Sequence, residues 1–142
     1  ETTISSGIDL SANMEIRLKM VQYINKVRRE NGKAELPIEE SLMNAAQDVS
    51  SQCVTEHRPY DQMALMRYGW PHAGMYNLTV PVAYGCPDIA QEAVNNWVNS
   101  SGHLQTMLME EGTCVGTGVT FEGGRAYCYM VVGDPTGHNP YE

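Results

Sequence analysis

Between positions 14 and 31 the apolar residues Met14, Leu18, Val21, Ile24 and Val27 recur every three or four places, which predicts an amphipathic helix. Ser11 or Asn13 is placed to cap it and Gly32 to stop it. The other face carries Arg17, Lys19, Lys26, Arg28 and Arg29 and reads as a solvated basic surface. Pro37 opens a second helical pattern. Glu39 and Glu40 suit its positive N-terminal end, and Leu42, Ala45, Ala46, Val49 and Cys53 line one side. A short helix over 60–68, with Met63, Leu65 and Met66, ends at Gly69. Residues 75–84 alternate apolar and polar and include Thr79, Val80 and Val82, so they predict a strand. Pro81 lacks an N–H and confines that strand to a sheet edge. Pro87 starts a third long helix through Ile89, Ala90, Ala93, Val94, Trp97 and Val98, and a short helical turn follows over 103–109.

In the last third the period changes to two. Val115, Val119 and Phe121, then Tyr127, Tyr129, Val131 and Val132, predict two strands joined by a hairpin at Glu122-Gly123-Gly124. Helices first and antiparallel strands last make the class α+β. Residues 1–12 read as an arm or linker, 13–134 as the domain and 135–142 as a Pro/Gly-rich surface tail.

A chain of 142 residues is the size of one domain and buries roughly 70% of its unfolded surface, so it folds without staples. It nevertheless has four cysteines, with no CxxC pair and no zinc-finger spacing, so disulfides are expected rather than a structural metal. Pairing Cys53 with Cys86 and Cys114 with Cys128 closes two modest loops, each contributing about 3–4 kcal/mol in the loop-entropy picture. Buried free thiols are the alternative. A formal charge of −8 argues against nucleic acid and anionic membranes as partners, and no run of 18 apolar residues is present to span a bilayer. The chain opens on Glu1 without an apolar leader. Together with the cysteines this predicts a secreted protein whose signal peptide has been removed.

Several segments then fall in a familiar order. They are Ile24-Asn25-Lys26-Val27-Arg28-Arg29, Leu36-Pro37, the alanine-bearing helix leading to Cys53-Val54-Thr55-Glu56-His57, and Gly74-Met75-Tyr76-Asn77-Leu78. Trp97 through Gly102-His103 and Val115-Gly116-Thr117-Gly118-Val119 complete the series. Over roughly 14–134 it resembles the CAP (SCP) superfamily of cysteine-rich secretory, antigen 5 and pathogenesis-related 1 proteins, and the Gly-His turn resembles the bacterial branch. The resemblance implies an α/β/α sandwich with a small antiparallel sheet between helix layers and an open cleft over it. It also implies two cleft histidines and two acidic residues, which in some members hold a divalent metal such as zinc. Sterol or fatty-acid binding and signalling are associated with the family, and no general enzymatic activity is.

His57 and His103 match the two family histidines, but Tyr76 and Ser100 stand where the acidic residues are expected. Two imidazoles without a carboxylate are one ligand short of an ordinary zinc site. Glu56, His72 or Glu92 are candidates to complete it, and no spacing selects among them. The alternative is a pair of partly buried histidines hydrogen-bonded to Tyr76 and Ser100. Ser100 and Ser101 near His103 also raise nucleophilic catalysis, against which stand the absence of G-x-S-x-G and of HExxH. Trp70, on a Gly/Pro-punctuated loop, suits either a cleft rim or packing, whereas Trp97 belongs to the core. The favoured reading is a non-enzymatic extracellular binding module with a small ligand, lipid or peptide in the cleft of His57, Tyr76, Ser100 and His103. A metal-dependent or serine-type hydrolase, or a structural domain with a vestigial cleft, are the alternatives.

Overall fold

Residues 125–134 run through the middle of the molecule, and their side chains sort alternately into two separate cores. The computed structural model describes residues 8–70, 72–83, 85–137 and 139; over 73–83 side chains are described at Gly74, Asn77 and Leu78. The described elements are helices α1 (Met14–Glu30), α2 (Glu40–Ser51), α3 (Pro59–Arg67), α4 (Ile89–Val98) and α5 (Ser101–Met107), and strands β1 (Ala73–Ala83), β2 (Cys114–Glu122) and β3 (Arg125–Asp134). Ala126, Cys128, Met130 and Val132 of β3 join Met20, Val21 and Ile24 of α1 and Ala90, Ala93, Val94 and Trp97 of α4. Tyr129 and Val131 join Leu42, Ala45, Ala46 and Val49 of α2 and Ala64 and Leu65 of α3. A period-two strand with both faces apolar needs a helix layer on each side. The result is the expected α/β/α sandwich.

The sheet is antiparallel in the order β1-β3-β2. Gly123 and Gly124 take φ of +58° and +79° between Glu122 and Arg125, the two left-handed residues that a two-residue hairpin requires. β1 lies on an edge, and Pro81 falls within a register irregularity between Thr79 and Val82, where a missing N–H costs no ladder bond.

On the other edge α2 rests directly on β2. A Cβ at Gly116 would stand 2.2 Å from the Leu42 carbonyl carbon, and one at Gly118 would stand 2.3 Å from the Ala46 oxygen. Glycines on the strand and alanines on the helix thus bring the two backbones together. Edge strands expose unpaired backbone groups, and here neighbouring segments take them up. Val115 N–H donates to the Pro37 oxygen and its carbonyl accepts from Glu39 N–H, at 3.0 and 3.1 Å. The Gln47 amide accepts from Val119 N–H at 2.9 Å and donates to its carbonyl at 3.0 Å, and Asn13 Nδ2 donates to the same carbonyl.

Two residues assigned to the solvated basic face of α1 are instead buried. Arg17 is 0% exposed and donates to the carbonyls of Thr117, Met43, Leu10 and Ala12 at 2.8–3.1 Å. Burial lowers its pKa to about 10, opposed by the charge of Asp9. Arg28 donates to the carbonyls of Ala34 and Met107 and thereby ties the end of α1 to the end of α5. Periodicity misassigned them because a guanidinium collects backbone carbonyls at chain crossings, and such crossings are invisible in a helix pattern.

The disulfide expectation is corrected as well: Cys53, Cys86, Cys114 and Cys128 are all free thiols. Cys114 lies opposite Gly133, five positions along β3 from Cys128, a separation of about 17 Å at strand rise. The two also face opposite cores. Cys86 packs on the α1/α4 side, whereas Cys53 follows α2. Burial pushes the Cys128 thiol up to about 12 and raises Cys114 and Cys53 as well, which disfavours the thiolate at these three.

Candidate functional site

His57 ends the loop between α2 and α3, and the next residues show why that loop stops where it does. Pro59 occupies the first helical position of α3, and Asp61, three residues past the Arg58 cap, accepts the Arg58 backbone N–H at 3.2 Å. The same carboxylate oxygen lies 3.6 Å from His57 Nδ1. The pair is asymmetric: the His57 side chain is 57% exposed and that of Asp61 only 3%. Burial raises the pKa of Asp61, opposed by the Arg58 N–H bond and by the charges of Arg58 and His57.

His103 approaches from the first turn of α5. Its Nδ1 stands 2.8 Å from the Oγ of Ser100, the N-cap residue of that helix, and Asn77 Nδ2 of β1 donates to its backbone oxygen at 2.5 Å. A further hydrogen bond joins the ring to the backbone of Leu78. Burial lowers the His103 pKa first and the nearby His57 charge lowers it again, with the Leu78 bond opposing both. Both effects favour the neutral form of the His103 imidazole.

Of the sequence-derived residues, His57, His103 and Ser100 are thus brought to one region. Tyr76 lies on β1 opposite Val131, and its side chain is outside the described residues. Trp70 packs: a Cβ at Gly133 would meet its ring at 2.7 Å, and His72 stands edge-on to it at 5.4 Å. Glu56 and Glu92 are exposed. Among the described residues no three His, Cys, Asp or Glu side chains are grouped to hold a metal.

Three residues at this site escaped the sequence reading. Asp61 supplies a carboxylate that the missing acidic positions do not, and its signal was the run His57-Arg58-Pro59-Tyr60-Asp61, a helix start with an acid at its third position. Arg58 lies over the Tyr60 ring at 4.9 Å, and Arg67 is at the same distance from that ring. Tyr60 is itself anchored, its hydroxyl donating to Asp48 Oδ1 at 2.5 Å, while the buried Asp48 also accepts from Tyr68 and Arg67. Asn77 fastens α5 to the sheet.

A family model described as the cysteine-rich secretory protein family (CAP) matches residues 21–134. YkwD of Bacillus subtilis (strain 168) is 28% identical over 138 residues, covering 93% of this chain and 51% of its own length. The chain therefore spans about half of that relative. Among solved structures, an outer surface protein from Borrelia burgdorferi aligns with a TM-score of 0.69 at 16% identity, over 89% of this chain and 96% of that one. An extracellular protein containing an SCP domain from Bacillus anthracis aligns at 0.70 and 18% identity, over 84% of this chain and 40% of that one.

Proposed function

The chain belongs to the cysteine-rich secretory protein (CAP) family, and from that premise we propose that it is an exported, non-enzymatic binding domain. Its cleft around His57, Tyr76, Ser100 and His103 takes a small ligand, a lipid or a peptide. The observation that carries this reading is the placement of His103, a partly buried imidazole whose Nδ1 stands 2.8 Å from Ser100 Oγ, with the charge of His57 near enough to act on it. Such a ring lines a cleft without a charge that a ligand must strip of water. Export is supported by the extracellular relative from Bacillus anthracis.

A resident zinc does not fit the residues described. His57 and His103 are two donors where three are the rule, and among the described residues no three His, Cys, Asp or Glu side chains are grouped to supply the third. A serine-type reaction has one observation in its favour, the 2.8 Å approach of Ser100 Oγ to His103 Nδ1. It lacks a carboxylate to orient the ring, since Leu78 backbone stands there and Asn77 bonds the His103 carbonyl rather than its imidazole.

Calorimetric titration with palmitate and with blocked peptides, on the parent chain and on folded His57→Ala and His103→Ala variants, tests the proposal. Saturable binding lost in both variants supports it. Binding indifferent to both histidines refutes it, and fluorophosphonate labelling of Ser100 would shift the reading to the hydrolase.

A further inference from the structure

Four buried side-chain polar atoms among the described residues have no hydrogen-bond partner, and three lie together: Nε and Nη2 of Arg58 and Oδ1 of Asp61. Nε and Nη2 form the side-on edge of the guanidinium, the edge that grips oxygen acceptors in a two-point fashion. This edge is held in place, because Arg58 stacks on Tyr60 and Tyr60 is tied to the buried Asp48. Asp61 is also fixed, its other oxygen taken by the Arg58 N–H and near His57. The two side chains are close enough for the Arg58 charge to act on the Asp61 carboxyl, yet they do not form an ion pair within 4.0 Å. A guanidinium edge and a carboxylate oxygen left in this state lack what bulk water would give them, and a bonding partner there returns that cost.

We propose that Arg58 and Asp61 form a recognition subsite beside His57 for an uncharged amide of a peptide ligand. The amide oxygen accepts from the Nε/Nη2 edge and an amide N–H donates to Asp61 Oδ1. This rests on the binding-domain reading above and narrows its ligand to peptides. The pairing of charges selects against ions: a carboxylate gains at Arg58 and is repelled at Asp61, and an ammonium the reverse. A lipid tail satisfies neither group. An amide carries an acceptor and a donor together and neutralises both without a net charge of its own. His57, the exposed side chain above Asp61, marks the approach.

The test uses the whole chain, labelled with 15N, titrated with N-acetyl tetrapeptide amides and with the same peptides N-methylated on the backbone. Expected are saturable shifts at the Arg58 Nε–H and the Asp61 backbone, at least a tenfold loss of affinity on N-methylation, and a similar loss in Arg58→Gln and Asp61→Asn. Because Asp61→Asn touches the start of α3, Arg58→Lys serves as a second variant that keeps charge and fold but removes the fork; it too loses affinity. Peptide binding unchanged in these variants but lost in His103→Ala overturns the subsite and leaves the cleft reading intact. Binding of palmitate but of no peptide does the same. A crystal structure with a water bridging Arg58 and Asp61 that saturating peptide does not displace also overturns it, and binding of neither ligand class sinks both readings.

Discussion

The two edges of one three-stranded sheet are finished in opposite ways. At the β2 edge Val115 is bonded to the 37–39 segment, Thr117 gives its carbonyl to Arg17, and Val119 is bracketed by Gln47 and Asn13. A full positive charge is buried there with every visible need met. Near the β1 edge Asn77 holds the His103 backbone, and at the start of α3 Arg58 and Asp61 keep unmet hydrogen-bonding atoms although Asp61 is as buried as any core residue. Burial alone therefore does not mark a functional group. A buried charge that satisfies the backbone holds the fold together, whereas buried polar atoms left without partners are a cost with no structural return and call for a ligand or an ordered water to complete them.

The contrast breaks most severely at Gly118. Gly118→Val places side-chain atoms inside the α2 backbone, and the expected loss exceeds about 3 kcal/mol or prevents folding; circular dichroism and urea melts measure it. Next comes Arg17→Met, which leaves the carbonyls of four residues without their donor and should lower unfolding free energy by about 3 kcal/mol. A midpoint unchanged in urea would mean that water replaces the guanidinium. Arg58→Met should cost no more than about 1 kcal/mol in the same assay, because the edge it removes has no partner. A loss as large as that of Arg17→Met would place Arg58 among the structural arginines and erase the difference between the edges.

Smaller is the effect of acid. The folded pKa of His103 lies below its ordinary value, so between the two the unfolded chain binds more protons. Stability present above the ordinary histidine pKa is lost as pH falls through the folded one. His103→Asn should flatten that slope below about pH 6.5. The smallest effect is that of reductant: with four free thiols, melting in dithiothreitol should match melting without it, and alkylation after unfolding should modify all four cysteines. A drop in melting temperature of several degrees on reduction would restore the disulfide expectation.

Much of the architecture could be read from local pattern. Met14 to Val27 at helical spacing, Pro81 in a strand and the paired glycines before Arg125 each have one favourable outcome, and the helices, the edge position and the hairpin follow. Gly116 and Gly118 were visible as a motif, but their purpose, helix backbone against strand backbone, depends on α2 lying over them. His57, Ser100 and His103 were legible through the family resemblance, whereas Asp61 was marked only as an acid at the third position of a helix start, a pattern that does not tell that its carboxylate stands beside His57. The cysteines misled because even count and spacing describe loop closure, while bonding depends on which face of the sheet each side chain takes.

The sequence by itself determined the elements, their α+β order and the family, because these rest on periodicity, turn chemistry and motif order, all local in the chain. Tertiary structure alone decided which arginines are buried, that the thiols stay apart, and which strand fastens the helix that carries His103. Those outcomes depend on contacts between residues tens of positions apart, such as Arg17 with Thr117 and Asn77 with His103. There the free energy of a polar group is set by the partners that packing brings to it and not by its neighbours along the chain.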